Sequence, residues 1–113
     1  MPEPRKPKNL LFAMLIKPST LDKIVKALAD RNRRSIFDAL CHGPAPVSEI
    51  AELMPITPSA VLQHVHVLEA KGLVHSDKVG RVRICRVDAH ALGTLQYWVE
   101  ARQRDFRRAE RRQ

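Results

Sequence analysis

The chain is 113 residues long, with 20 Lys and Arg against 12 Asp and Glu and a net charge of +8 at pH 7; that length holds one domain with one modest core and excludes an enzyme built from separate cofactor and substrate domains. The charge favours a polyanionic partner, nucleic acid ahead of an anionic membrane surface. Two cysteines, Cys41 and Cys85, are too few for a disulfide-dense secreted scaffold or a four-cysteine zinc site, and the longest apolar run is seven residues where a bilayer span needs about 20.

Residues 1–9 carry three prolines with Arg5, Lys6 and Lys8 and read as a basic arm. Residues 10–16, Leu-Leu-Phe-Ala-Met-Leu-Ile, are too apolar to be left in water and are expected to pack on the body or at a subunit contact. No signal-peptide pattern opens the sequence, so the protein is expected to be soluble and cytoplasmic, with no membrane partner. The expected division is an arm and apolar segment over 1–19 and a compact domain over 20–113.

Helical spacing begins with Leu21, Ile24, Val25 and Leu28, with Thr20 as candidate cap. Asn32 is the candidate cap of a second helix with Ile36, Phe37 and Leu40 as its stripe, stopped by His42-Gly43-Pro44. A short third helix shows Val47, Ile50, Ala51 and Met54. After the turn Pro55-Ile56-Thr57-Pro58, Thr57 suits the N-cap and Pro58 the first position of a fourth helix that runs to about Lys71, with Gly72 as its stop. Val61, Val65 and Leu68 form that helix's inner face, and Ser59, Leu62, Gln63 and His66 form another. Leu73-Val74-His75, a loop over residues 77–80 and a β-prone run over 82–87 predict a short hairpin. Asp88 is the candidate cap of a long last helix marked by Leu92, Leu95, Trp98, Val99 and Phe106, and the arginine-rich stretch from Arg102 is expected to be solvated and frayed.

This order predicts a mainly α fold with a small β-hairpin wing, a winged helix-turn-helix. In such a layout the fourth helix has the width to enter the major groove, where base edges are distinguishable. Thr57, Ser59, Leu62, Gln63 and His66 are the candidate base contacts: Gln63 can pair bidentately with adenine, Ser59 can bond a base or phosphate, and Leu62 can touch a thymine methyl. His64, Lys78, Arg81 and Arg83 are the candidate backbone contacts. Residues 71–113 hold 11 Lys and Arg against 5 Asp and Glu, so the positive charge concentrates where the hairpin and last helix lie. Arg31, Arg33 and Arg34 can either add backbone contacts or cap the second helix.

Several stretches resemble the ArsR-type repressors. Residues 27–36, Ala-Leu-Ala-Asp-Arg-Asn-Arg-Arg-Ser-Ile, look like the family's opening ALADPTRRxI; Val47-Ser48-Glu49-Ile50-Ala51 looks like VSELA; residues 64–74 look like HLRVLEEAGLV; and residues 80–88 look like its wing. The resemblance spans roughly residues 21–106. It implies a homodimeric repressor that binds double-stranded operator DNA, is loosened by an inducer, and pairs through its first and last helices; Leu21, Ile24, Leu95, Trp98, Val99 and Phe106 are the corresponding interface candidates. The chain departs from the family at Leu62, where many members carry Ser, so the operator cannot be carried over by analogy.

The resemblance also brings two metal motifs to test. The cysteine cluster of arsenic- and cadmium-sensing members is replaced around Val47-Ser48-Glu49. The zinc motif of the last helix starts at Asp88-Ala89-His90, but its second half falls on Ala101 and Arg104, and a cation at the fourth position repels zinc. No metal or other cofactor is expected. Cys41 and Cys85 are a candidate redox pair, weighed against the commoner role of free cysteine as a small buried hydrophobe. Catalytic motifs are absent, so no enzyme activity is expected. Two further readings stay open on residues alone: a winged-helix protein-interaction module and a sequence-blind architectural DNA-binding protein.

Overall fold

The structure, a computed structural model, describes residues 19–112; the basic arm and the apolar run at residues 10–16 lie outside the described residues. The elements are α1 (Thr20–Ala29), α2 (Arg31–Leu40), β1 (Ala45–Pro46), α3 (Val47–Glu52), α4 (Pro58–Ala70), β2 (Val74–Val79), β3 (Val82–Val87) and α5 (Ala89–Arg111). The architecture is a winged helix-turn-helix in which a small antiparallel sheet of order β1-β3-β2 lies against the helices.

Local chemistry sets the boundaries. Ser19, one residue before the expected Thr20, caps α1: its hydroxyl accepts the Asp22 N–H at 3.1 Å, and the Asp22 carboxylate accepts the Ser19 N–H at 3.0 Å. Ser19 wins because this reciprocal capping box needs an acceptor three residues on, and Asp22 supplies it. Asp30, rather than Asn32, caps α2 by accepting the Arg33 N–H at 3.0 Å, which leaves Asn32 inside the helix. Thr57 and Pro58 open α4 as their chemistry demands, with the Thr57 hydroxyl accepting the Ala60 N–H at 3.1 Å. Gly72 follows α4 at φ +83°, a left-handed conformation that favours glycine.

The arginines after α1 have a structural task. Arg33 Nε donates to the Ala27 carbonyl at 2.8 Å, and Arg34 Nη1 donates to the Leu28 carbonyl at 2.8 Å. They close the C-terminal end of α1, where carbonyls lack helical partners and the helix dipole favours cations. The helix they cap is the first, not the second.

The sheet departs from the expected hairpin in two ways. Ala45 and Pro46 form an extra strand that pairs with Cys85 and Ile84 of β3. Two residues, one a proline, carry no strand pattern in sequence; only the neighbouring β3 makes them a strand. The hairpin is also longer, with β2 running through Val79 and the turn made by Gly80 and Arg81 alone. Gly80 has φ +64°, the conformation a two-residue hairpin turn asks of glycine.

The core gathers Ile24, Ala27, Ile36, Phe37, Leu40, Ile50, Val61, Val65, Leu68, Leu73, Val74, Cys85 and Ala91. Ile24, expected at a dimer contact, is only 1% exposed and belongs to this core, because α1 turns it onto the rest of the protomer. Val25, expected on the same stripe, is instead exposed. The last helix continues for 23 residues to Arg111, about 34 Å at 1.5 Å per residue, so the arginine-rich stretch expected to fray is helical. Among the described residues no helix is long and apolar enough to cross a membrane.

Both aspartate caps predict acid lability. The Asp30 and Asp88 carboxyls are held below the usual carboxylate range, chiefly by the backbone N–H groups of Arg33 and His90. A depressed folded-state value means that their stabilisation is complete above about pH 4, where the unfolded groups are already ionised, and is lost as pH falls through the folded values. Thermal melts from pH 7 down to pH 2.5 should show this loss in the native chain. In an Asp30→Asn/Asp88→Asn double variant, which keeps a capping oxygen that does not titrate, the loss should be shallower; identical pH profiles would refute the assignment.

Candidate nucleic-acid interface

α4 has one buried and one open side. Val61, Val65 and Leu68 are fully buried, and Ser59, Gln63 and His66 are exposed on the opposite surface. The spacing that buries the first set therefore displays the second. Thr57 stands exposed at the N-terminal end of this face, its oxygen engaged by the cap.

Leu62 is placed differently from its three companions. It is half-buried and lines a groove of about 380 Å³ between α4, the start of α3 and the wing, together with Val47, Lys78, Arg81, Val82 and Arg83. Its apolar side chain thus backs the gap between helix and wing. His64 lies off that open polar face and is half-buried.

The wing tip is cationic and open. Lys78 and Arg81 are exposed, as are the apolar Val79 and Val82 that flank the turn. Arg83 is half-buried and committed, with Nη1 donating to the Ser76 hydroxyl at 3.0 Å. At the wing's base, His75 Nε2 meets Asp88 Oδ2 at 2.8 Å while Asp88 Oδ1 accepts the His90 N–H at 2.8 Å. The His90 contact is the cap expected of Asp88; the His75 contact was not legible in the sequence, because its partners lie 13 residues apart with no periodic signal to join them.

The remaining candidates divide by burial. Cys41 is exposed at the end of α2 and Cys85 is buried in β3; both thiols are free. Both are pushed above the ordinary thiol range, first by desolvation, slight at Cys41 and deeper at Cys85, and then by Asp38 at Cys41 and by Glu69 at Cys85. A raised value disfavours the reactive thiolate. Among the described residues no group of three or more His, Cys, Asp or Glu is arranged to hold a metal. Both oxygens of Asp88, the first residue of the partial zinc motif, are already engaged. Leu21 and Leu95 are half-buried, whereas Trp98 and Val99, each 44% exposed, and Phe106, 63% exposed, stand out from α5.

Comparison with known proteins agrees with this geometry. Residues 28–77 match the family model of a helix-turn-helix domain. The chain is 36% identical over 85 residues to the HTH-type transcriptional regulator Rv2034 of Mycobacterium tuberculosis, covering 71% of this chain and 79% of that protein. Among solved structures, it is similar to the ArsR family transcriptional regulator RHA00566, with TM-score 0.74 and 32% identity over 79% of this chain and 98% of that one. The homodimeric winged helix-turn-helix DNA-binding domain Mb0332 from Mycobacterium bovis shares the fold, with TM-score 0.62 and 23% identity over 77% of this chain and 81% of that one. A buried-backed helix with an open polar face, a cationic wing beside it and these relatives together make the chain a member of the ArsR family of winged helix-turn-helix DNA-binding transcriptional regulators.

Proposed function

We propose that this regulator is a homodimeric repressor that reads operator DNA with Ser59, Gln63 and His66 and holds the phosphate backbone with Lys78 and Arg81. The observation that carries the reading is the open face of α4: three polar side chains at helical spacing, exposed together beside a cationic wing tip. Thr57 borders that face, and Leu62 meets the DNA from the groove wall. Neither of the family's two metal motifs is complete in this chain, so a releasing signal would act through neither of them.

Exposed apolar surface supports the dimer. Leu92, Trp98, Val99 and Phe106 all stand exposed on one helix. Burying such a side chain is worth about 1.5–3 kcal/mol, and a domain's whole stability is about 5–15 kcal/mol, so four left in water forgo a large stabilisation that a second copy can supply. A cyclic dimer presents two reading helices, which a pseudo-palindromic operator matches.

Fluorescence anisotropy on the DNA upstream of the protein's own gene, and on a scrambled duplex of equal length, tests the repressor reading at two salt concentrations. The native fragment should bind at least about 10³-fold more tightly. Lys78→Gln and Arg81→Gln should each lower the salt slope by about 0.9, the loss of one phosphate contact. Equal affinity for both duplexes points instead to a sequence-blind architectural protein, and no binding to either returns the case to a protein-interaction module.

Sedimentation velocity checks the pairing independently. The native chain should run as a dimer at micromolar concentration, and Val99→Glu/Phe106→Glu should run as a folded monomer. A monomeric native chain would sink the dimer.

A further inference from the structure

In the hairpin register Arg83 stands directly across from Lys78, so two cationic side chains share one face of the wing. Like charges so placed repel, and Arg83 bonds along the wing to Ser76. Its Nη1 donates to Ser76 Oγ at 3.0 Å, and Ser76 Oγ donates to Glu69 Oε1 at 2.9 Å. The second carboxylate oxygen, Glu69 Oε2, accepts the Ser76 backbone N–H at 3.2 Å. Glu69 lies in the last turn of α4, Ser76 on the edge strand β2, and Arg83 on β3. Three half-buried side chains thus join the reading helix to both strands of the wing.

The charge at Glu69 sharpens the point. A carboxylate close to a surface that meets DNA opposes binding by repulsion. Here both of its oxygens are spent on the wing, in hydrogen bonds strengthened by ionisation. Helix and wing must engage the duplex together, and a fixed angle between them removes the cost of ordering the wing at the moment of binding.

We infer that Glu69, Ser76 and Arg83 form a brace that sets the wing's angle to α4, with Glu69 and Ser76 as positioning residues for DNA binding and Arg83 as part of the brace rather than a phosphate ligand. The inference rests on the operator-binding reading above for its consequence, but the brace itself is a property of the free protein.

Two measurements test it separately. On the native upstream fragment, Glu69→Gln should bind about tenfold more weakly, the scale of a lost hydrogen bond to a charged group, with a smaller change on the scrambled duplex. Simple electrostatics predicts the opposite sign, because removing an acid strengthens binding to any DNA. Ser76→Ala should weaken binding similarly, whereas Ser76→Thr, which keeps the hydroxyl on a strand that suits a β-branched residue, should restore it. Glu69→Gln and Arg83→Gln combined should cost less than the sum of the two single changes. Circular dichroism and melting temperature identify any variant that fails to fold. In the DNA-free protein, amide hydrogen exchange at Ser76 should accelerate in Glu69→Gln. Tighter or unchanged binding by Glu69→Gln, or unaltered Ser76 exchange, would overturn the brace. If the native chain binds neither duplex the operator reading fails, and the exchange measurement still decides the brace.

Discussion

Val61, Val65 and Leu68 are sealed from water along the inner side of α4, and the rest of the structure depends on that seam. Around it gather Ile36 and Phe37 from α2, Ile50 from α3, Leu73 and Val74 at the entry to the wing, and Cys85 from β3. Close packing in such an interior leaves the helix little freedom to roll. With one side held, helical geometry decides which residues remain outside, and Ser59, Gln63 and His66 are those residues. The open polar face is therefore a consequence of the core behind it.

Charge is distributed according to what each cation can reach. Arg33 and Arg34 turn back onto the carbonyls that end α1, and Arg83 turns inward to Ser76. Lys78 and Arg81 are left exposed at the wing tip. A net charge of +8 thus overstates the number of groups available to DNA, because several of the arginines are structural. Which cation does which job follows from the partner within hydrogen-bonding distance.

The long last helix buries only Ala91 among its 23 residues. Its apolar residues line up as a stripe, yet the protomer is too small to cover them. Arg102 lies over the Trp98 ring at 5.6 Å, and that contact shields one of them in part. The wing's base is tied to the same helix through His75 and Asp88, while its middle is tied to α4 through Ser76 and Glu69. The wing is accordingly tied by side-chain hydrogen bonds to both α4 and the start of α5.

The sequence by itself determined the helices, the hairpin and the side of α4 that faces out. Their signals are local: the i, i+3, i+4 spacing of Val61, Val65 and Leu68, Thr57 and Pro58 at a helix start, Gly72 at its end, and a glycine in the hairpin turn. The order of these elements pointed to the winged helix-turn-helix, and the family motifs added the expectation of a dimeric DNA-binding regulator. Only the tertiary structure decided where individual side chains were spent. Ala45 and Pro46 became a strand because β3 lies beside them, Ile24 joined the core because α1 packs with that side inward, and Arg83 is tied to the wing because Ser76 stands within 3.0 Å. Periodicity reports which way a residue points on its own element; the partner it meets there comes from another element, and no local pattern encodes that meeting.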